Sequence, residues 1–304
     1  MQLTNRFGAD EAIVAAVSND AYDSEGSDIS ITGLSVPPQM RVLRKRYGHL
    51  IVEDVSERLP SLRGQIAHAI LERSGIPNEW SERRLFIEVR NWKVSGKPDK
   101  IEAMHLNNNI LADHKFPTLK SFRYGFQRDK GLKPEYIPQG SGYKLLLNKH
   151  GVKIDKVIFK PTLLEWSVVD AARNRDDYPP SPFYNFDIPV WNEKVAFEWM
   201  DSRVKLHQEA DLLPDEALQP CTDEERWAKP ASFAVKKAGG KNAIRGGVKA
   251  TRAEAEALAQ TLGANHHVEA RLGENTRCQF FCSVKRFCKQ VARENPEGVD
   301  ASMI

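Results

Sequence analysis

Three charged residues interrupt a stretch that otherwise has the pattern of two β-strands, VSGKPDKIEAMHLNNNILADHKF, from Val94 to Phe116. Strand alternation puts Asp113 and Lys115 on one face of the second strand. A hairpin whose turn is formed by Asn107 to Asn109 would bring Asp99 of the first strand alongside Asp113. Charges are costly on a strand that buries its faces, so these three side chains require an explanation.

Two carboxylates beside an ammonium are suited to the hydrolysis of a phosphodiester. Carboxylates in contact repel each other unless a cation lies between them, and Mg²⁺ binds through one or two carboxylates plus water. Such an ion lowers the pKa of a bound water and polarises a phosphoryl group. The neighbouring lysine can stabilise the charge of the transition state. A lone D-x-K motif is more often a surface ion pair on an edge strand, and that alternative stays open.

Two helical patterns outside the hairpin carry further candidates. GQIAHAILE places His68 on a helix face, and the alternative to a functional role is a solvated His–Glu pair. QGSGYKLLL places Gln139 and Tyr143 four residues apart, on one face of a second helix. Gly140 and Gly142 are poor helix formers. Either close approach of a substrate backbone or tight packing of the helix on a sheet explains them.

In chain order the features are His68, G-x-x-D ending at Asp99, D-x-K from Asp113 to Lys115, and Q-x-x-x-Y from Gln139 to Tyr143. Their order and separations resemble the PD-(D/E)XK nuclease superfamily. The branch that they resemble most contains the RecB nuclease domain, lambda-type exonucleases and the CRISPR-associated iron–sulfur exonucleases. The resemblance covers about Gly64 to Trp166. The segments CTDEERW and RCQFFCSVKRFC also resemble bacteriophage-encoded members.

The resemblance implies a metal site made of four residues. Asp99, Asp113 and the backbone carbonyl of His114 would bind Mg²⁺ or Mn²⁺, with His68 as an additional ligand. Many members carry Glu where this chain has Asp113, and the shorter side chain is common in this branch. The side chain of His114 is expected on the opposite face of the strand, in a structural role.

The resemblance also implies an activity. Lys115 would position and activate the attacking water, and Gln139 and Tyr143 would contact DNA or steady the site. The expected protein is a divalent-metal-dependent deoxyribonuclease, with exonuclease action as the expected mode, in phage DNA processing, recombination or replication. Its partners would be single-stranded DNA or duplex ends, with other recombination or replication proteins as further candidates. The alternatives are a non-catalytic DNA-binding or assembly factor on a nuclease fold, and a zinc-stapled structural protein.

The four cysteines form a second candidate site. Cys278, Cys282 and Cys288 fall close together, and Cys221 lies far upstream. In a large cytosolic chain, clustered cysteines indicate a metal site more than disulfides. Four thiolates serve both a [4Fe–4S] cluster and structural Zn²⁺. The one-plus-three layout resembles iron–sulfur nucleases related to RecB, although those usually have C-x₂-C and a lone cysteine before the nuclease core. A [4Fe–4S] cluster is therefore expected, with Zn²⁺ or no metal as alternatives.

Two basic segments are candidates for the path of DNA. The chain from Lys236 to Ala253 has six basic residues, no acidic residue and four glycines, which is typical of an arm that follows a phosphate backbone. RVLRKRYGH is a second basic segment. For each, a solvated face is the alternative. The expected DNA-binding residues are Lys236, Lys237, Lys241, Arg245, Lys249, Arg44 and Arg46.

Bulk properties limit the remaining possibilities. Hydrophobic residues make up 41% and charged residues 28% of the 304 residues, which is ordinary for a globular protein. The net charge of +3 neither demands nor excludes a nucleic-acid partner. No run of eighteen apolar residues predicts a spanning helix, so no membrane partner is expected. The N-terminal residues lack the plan of a signal peptide, and we expect a cytoplasmic location in a bacterial host.

The order of elements predicts an α/β core with a central mixed sheet flanked by helices. The resemblance implies a restriction-endonuclease-like nuclease core, followed by a cysteine-stapled β-β-α-β module. Residues 39 to 74 are predicted to be helical, with a second helix ending at Gly75, and WKVSGKPDKIEAMHL is predicted to be one strand. The expected divisions are a flexible arm at 1–36, the nuclease core at 37–215, the metal-cluster module at 216–292 and a tail at 293–304.

Overall fold

The structure, a computed structural model, describes residues 2–19, 23–73, 83–104, 108–126, 132–174 and 178–294. Within these ranges the chain is a mixed α/β protein with eleven α-helices and five sheets. It divides into two compact units. Unit 1 comprises Met1–Pro38 and Val52–Leu212, and unit 2 comprises Gln39–Ile51 and Leu213–Ile304. No helix of the described part of the chain has both the length and the apolar character to cross a membrane.

Helices and strands alternate along much of the chain. The helices are α1 Glu11–Ser18, α2 Ile31–Leu34, α3 Pro38–Tyr47, α4 Leu59–Glu72, α5 Leu119–Gly125, α6 Tyr136–Lys149, α7 Val168–Arg173, α8 Glu193–Leu212, α9 Arg252–Leu262, α10 Thr276–Phe280 and α11 Lys289–Glu294. The strands are β1 Gln2–Thr4, β2 Ile29–Ser30, β3 Val52–Asp54, β4 Leu85–Val89, β5 Trp92–Gly96, β6 Lys100–Met104, β7 Asn108–Lys115, β8 Lys156–Pro161, β9 Phe186–Asp187, β10 Ala228–Lys229, β11 Ser232–Lys237, β12 Ala243–Lys249, β13 His266–Arg271 and β14 Glu274–Asn275.

The largest sheet of unit 1 has the order β6-β7-β8-β9. β7 runs antiparallel to β6 and parallel to β8, and β9 is antiparallel to β8, so the predicted mixed sheet is present. The parallel pair needs a crossover connection, which α5 and α6 supply. Leu111 of β7, Phe159 of β8 and Leu146 of α6 are fully buried in the core between sheet and helix.

The chain changes sheets between β5 and β6, so the prediction of one continuous strand is wrong. β5 belongs to a separate sheet of order β2-β5-β4. Pro98 lacks a backbone N–H and cannot continue a ladder. Gly96 leaves no room for a side chain, because a Cβ there would lie 2.6 Å from Leu146 Cδ1 and 3.0 Å from Tyr143 Cδ1. The turn over these residues therefore packs against α6 and delivers Asp99 to the start of β6.

The N-terminal residues are folded, which corrects the flexible arm predicted for residues 1–36. β1 pairs in parallel with β3, and β2 pairs in parallel with β5. Ile31 and Leu34 of α2 are fully buried in the core of unit 1. The segment is rich in polar residues, and its ordering comes from Ile29, Ile31 and Leu34, which are buried. Residues 20–22 of the polar segment lie outside the described ranges.

Residues 39–74 are not all helical, and their assignment to the nuclease core also needs correction. α3 ends at Tyr47, β3 follows, and α4 begins at Leu59. The predicted helix end at Gly75 lies outside the described residues. Gln39–Ile51 belongs to unit 2 rather than to the expected 37–215 segment. Tyr47 stacks on Phe287 with ring centroids 4.5 Å apart, and Arg46 pairs with Asp215 at 2.6 Å, so α3 packs on the C-terminal segment.

Unit 2 contains the predicted succession of two strands, a helix and a strand. β11 lies between β12 and β13 and is antiparallel to both. The predicted capping box at Thr251 and Glu254 is confirmed at the start of α9. The β11–β12 register shifts by a bulge, where Gly246 has φ 72°. Stapling by the cysteines stays a prediction, and most of the 293–304 tail lies outside the described residues.

Candidate functional site

Strand β7 positions Asp113 and Lys115 on one face, as the alternation predicted. Lys115 Nζ lies 2.6 Å from Asp113 Oδ2. Because β7 lies between β6 and β8, the carboxylate is buried. The ammonium also lies 4.8 Å from the ring centroid of Phe159, on the neighbouring strand. This pair is thus a buried strand feature, and the surface alternative left open by the sequence does not apply.

Asp99 lies beside this pair. β6 pairs Lys100 with Ala112, and continuing that register by one residue places Asp99 opposite Asp113. Asp99 Oδ2 accepts a hydrogen bond of 2.7 Å from the backbone N–H of His114. The hairpin therefore places Asp99, which immediately precedes β6, beside the Asp113–His114 part of β7.

The turn of this hairpin differs from the prediction. Asn108 and Asn109 belong to β7, where they pair with Met104 and Ala103. Asn107 lies outside the described residues. The strand register, and not an asparagine turn over 107–109, therefore aligns Asp99 with Asp113.

Helix α6 supplies the two remaining polar groups of the predicted site. Gln139 Nε2 donates to Asp113 Oδ1 at 3.3 Å, and Lys115 Nζ donates to Gln139 Oε1 at 3.3 Å. These contacts close a three-residue network. Burial raises the pKa of Tyr143, and the negative charges of Asp113 and Asp99 raise that pKa further. Tyr143 is therefore a neutral phenol at physiological pH.

The two glycines of α6 are explained by packing. A Cβ at Gly142 would lie 2.8 Å from Ile31 Cγ2, and one at Gly140 would lie 3.2 Å from Val157 Cγ1. The helix can approach α2 and β8 closely only because both positions lack side chains. Of the two explanations that the sequence left open, tight packing is the one that the structure supports.

The two histidines lie to one side of this network. The His68 ring on α4 is perpendicular to that of Phe116, with centroids 5.5 Å apart. The His114 side chain is half-buried, and burial, followed by the charge of Lys160, lowers its pKa. Lys160 is itself paired with both oxygens of Glu102 at 2.7 and 2.8 Å. Glu102 and Lys160 both lie within strand patterns, but those patterns do not predict that the two side chains pair.

The donor set fits a hard divalent cation. The described residues contain no group of three or more His, Cys, Asp or Glu side chains arranged to hold a metal ion, so His68 is not assembled with the aspartates. Two opposed carboxylates are nevertheless a usual protein contribution to an Mg²⁺ site. Asp113 Oδ2 is buried and has no hydrogen-bond partner, since its approach to Lys115 is an ion pair without hydrogen-bond geometry. Its present partner is the Lys115 ammonium at 2.6 Å, so a metal ion bound there would share the carboxylate with that cation.

All four cysteines belong to unit 2 and are free thiols. Burial raises the pKa of Cys221 to about 12, with smaller contributions from the other three thiols. Burial likewise raises the pKa of Cys278 to about 11, with Cys282 and Cys288 contributing. The thiols are thus near enough to affect one another's pKa, although the described residues contain no cysteine group arranged to hold a metal ion. Sulfur donors of this kind suit zinc or an iron–sulfur cluster.

Two glutamines support the thiols. Gln39 of α3 is buried, and its Oε1 accepts from Cys221 Sγ at 3.4 Å and from Cys288 Sγ at 3.7 Å. Gln290 holds the Cys221 backbone on both sides, accepting from its N–H at 2.9 Å and donating to its carbonyl at 3.1 Å. The spacing of the cysteines gave no sign of either residue.

The predicted DNA-binding residues fall into two groups. Lys237, Lys241 and Arg245 are exposed on the β11–β12 hairpin, and Lys249 is half-buried on the same hairpin. Lys236 is paired with Glu269 at 2.7 Å.

The two arginines of α3 have partners in unit 2. Arg46 pairs with Asp215 and also donates to the Leu213 carbonyl. Arg44 donates to Ser283 Oγ at 3.1 Å. Arg46 therefore has a structural contact that sequence reasoning did not anticipate.

Comparison with known proteins adds only distant likeness, from solved structures. No family model matches the chain, and no curated protein matches it. One similar solved structure, known as the crystal structure of SSO0001, is 16% identical, covers 64% of this chain and 84% of its own, and has a TM-score of 0.43. That name states no activity, so the function is argued from the residues of this chain.

Proposed function

We propose that the protein is a divalent-metal-dependent deoxyribonuclease that acts as an exonuclease. The observation that carries the proposal is the buried network of Asp113, Lys115 and Gln139, with Asp99 aligned on the neighbouring strand. The resemblance to PD-(D/E)XK nucleases supports the same reading, because it assigns these four positions to one site.

Each side chain has a distinct task in this proposal. Asp99 and Asp113 would hold Mg²⁺ or Mn²⁺, which when bound would stabilise charge on the phosphoryl group and lower the pKa of a water. Asp113 and Gln139 fix the Lys115 ammonium from two directions, so its charge is oriented before substrate binds. Tyr143, kept neutral by its raised pKa, can only donate or accept hydrogen bonds.

The cysteines belong to a separate part of the proposal. Cys221, Cys278, Cys282 and Cys288 would hold a [4Fe–4S] cluster, with Zn²⁺ as the alternative, in a structural role within unit 2. A thiol must lose its proton to bind a metal, and burial favours the protonated form of Cys221. We therefore expect the metal affinity to rise with pH. The proposed substrate is single-stranded DNA or a duplex end, and the proposed location is the cytoplasm of a bacterial host.

Cleavage assays test the nuclease assignment. Purified protein with Mg²⁺ or Mn²⁺ is given end-labelled, end-blocked and circular DNA, each single-stranded and duplex. We expect degradation of the substrates with free ends, and a loss of rate of about 10²-fold or more in Lys115→Ala. Lys160→Ala is the matched control, since Lys160 lies on the adjacent strand in a pair with Glu102. It should stay within a few-fold of the parent.

Two results would contradict the proposal. If no substrate is cut, or if Lys115→Ala cuts as fast as the parent, the enzyme assignment is wrong, and binding without cleavage would then favour a non-catalytic DNA-binding factor. Metal analysis after anaerobic purification tests the cysteines separately. Iron supports the cluster, whereas zinc in a colourless preparation supports the alternative.

A further inference from the structure

Unit 2 exposes three large aromatic rings next to one another. Trp227, Phe280 and Phe281, which together form the aromatic cluster, are 44%, 66% and 63% exposed. The ring centroids of Trp227 and Phe281 are 5.4 Å apart, and those of Phe280 and Phe281 are 6.5 Å apart. A contiguous exposed apolar patch is the kind of surface feature that marks an interaction site.

The backbone holds this cluster in place. Trp227 has φ 53°, in the left-handed region that non-glycine residues seldom adopt. The adjacent β10–β14 pairing joins Ala228 to Asn275, and Arg277 N donates to the Arg226 carbonyl at 3.0 Å. The rings are therefore arranged before any partner binds.

A guanidinium lies against the cluster. The Arg277 guanidinium carbon lies 5.0 Å from the Trp227 ring centroid. Arg277 Nη1 also donates to the Glu225 carbonyl at 3.1 Å, which fixes its orientation. An arginine stacked on an aromatic face is a recurrent element of surfaces that bind unpaired bases.

The charge of the surrounding segment is one-sided. From Asn275 to Arg293 the sequence has five basic residues and no acidic one. The acidic residues near the cluster are Asp223 and Glu294, which both pair with Arg226, Glu274, which pairs with Lys229, and Glu224 and Glu225 in the turn before Trp227. Binding to a membrane surface or to an apolar groove of another protein requires apolar area, but does not require an aromatic ring stacked against a guanidinium group. Bases carried on a polyanionic backbone match both features.

We propose that the aromatic cluster is a stacking platform for the unpaired bases of single-stranded DNA. Base faces are accessible in a single strand but are covered by neighbouring bases in a duplex, so the platform distinguishes the two forms. The inference deepens the proposed function by naming the form of the substrate, and it rests on that function only for the choice of DNA.

Binding measurements without cleavage test the platform. Full-length protein carrying Lys115→Ala keeps the probe intact, and fluorescence anisotropy follows a labelled oligothymidylate and a blunt, closed duplex hairpin. Phe280 and Phe281 are replaced together in two variants. The Ala variant removes the rings, whereas the Leu variant keeps apolar volume but has no aromatic face. Phe7→Ala is the matched control, because Phe7 is also an exposed phenylalanine near a guanidinium, that of Arg6, but lies in unit 1.

We expect both double variants to bind oligothymidylate at least about tenfold more weakly, since a base stacked on an aromatic ring contributes on that scale. Duplex binding, the Phe7→Ala variant and the thermal unfolding of all variants should stay close to the Lys115→Ala parent. The proposal is overturned if that parent does not bind oligothymidylate, if the Ala variant binds it as well, or if the Leu variant restores binding. Cleavage by the wild-type chain is measured in a separate assay. The cleavage assay tests the nuclease proposal and the binding measurements test the stacking platform, so either proposal can be refuted without the other.

Discussion

Replacing Lys115 by Met would remove the ammonium and leave the Asp113 carboxylate buried without its cation. The Asp113 side chain is 3% exposed and that of Lys115 is 23% exposed. After the change, Asp113 would keep one hydrogen bond of 3.3 Å, from Gln139 Nε2. Methionine preserves a flexible apolar stem, so packing against Phe159 changes little and the lost charge is what is measured.

The expected loss in free energy of unfolding depends on how far the Asp113 carboxylate is shielded from water. Removing one partner of a fully buried pair costs about 3–5 kcal/mol, because an uncompensated charge remains. The Lys115 side chain is partly exposed, so water screens part of its attraction to Asp113. The expected cost is therefore lower, about 2–4 kcal/mol.

The pair on the next strand provides the control. Lys160 Nζ lies 2.7 Å from Glu102 Oε1, with side chains 25% and 28% exposed. The two lysines are thus matched in exposure, whereas the Glu102 carboxylate is less buried and has a second cation, Lys100 Nζ, at 3.7 Å. In Lys160→Met, Glu102 can regain water, and the expected loss is about 0–1 kcal/mol.

A double-mutant cycle isolates the interaction. In Asp113→Asn the buried charge is gone, so adding Lys115→Met should cost little, and the coupling energy should be about 2 kcal/mol. Urea unfolding in a Trp227→Phe background reports on unit 1, because Trp227 is the sole tryptophan in the sequence of unit 2. If Lys115→Met costs no more than Lys160→Met, or if the cycle is additive within about 0.5 kcal/mol, the charge is not buried as described.

Three further predictions concern the same unit. Mn²⁺ at a hundredfold excess over its Kd should stabilise unit 1 by about 2.7 kcal/mol, which a thermal-shift assay detects as a higher unfolding temperature. The Asp113→Asn variant should lose most of this gain. Hydrogen bonds from Arg6 N and Ser56 hold the pKa of Asp54 below its unfolded value of 3.8. The contribution of Asp54 to the free energy of unfolding should be full above pH 3.8 and should disappear as the pH falls below it. The urea midpoint of Asp54→Asn should therefore depend less on pH in this range. Gly96→Ala should destabilise by about 1–3 kcal/mol in urea, because the new Cβ meets Leu146.

The candidate site was predictable where its geometry is local. Strand alternation alone places Asp113 and Lys115 on one face, and helical spacing places Gln139 and Tyr143 together. These periods are properties of the backbone, so they hold whatever the rest of the chain does. The alignment of Asp99 also followed from a hairpin, although the assumed turn residues were wrong.

Features that depend on distant residues could not be predicted. Pro98 marks the strand break locally, but the close packing of Gly96 against Leu146 and Tyr143 of α6 is a contact that local strand propensity does not register. Likewise, α3 belongs to unit 2 through Tyr47 with Phe287 and Arg46 with Asp215, contacts between residues well over a hundred positions apart. The aromatic cluster was missed for a different reason. The segment RCQFFCSVKRFC indicates cysteine ligands and a resemblance to bacteriophage-encoded proteins, and neither shows that Phe280 and Phe281 are exposed beside Trp227.

Stability alone does not account for the polar network in the core of unit 1. Replacing a buried ion pair by apolar residues of similar volume is often neutral or stabilising, so folding does not require charges at Asp113 and Lys115. Within the network Asp113 Oδ2 has the Lys115 ammonium at 2.6 Å as its partner but no hydrogen bond. A bound divalent cation would satisfy that oxygen and offset the repulsion between Asp113 and Asp99. Charges that folding does not require, on adjacent carboxylates, are what the proposed cation site would use, so metal binding and stability should respond together to changes at Asp113.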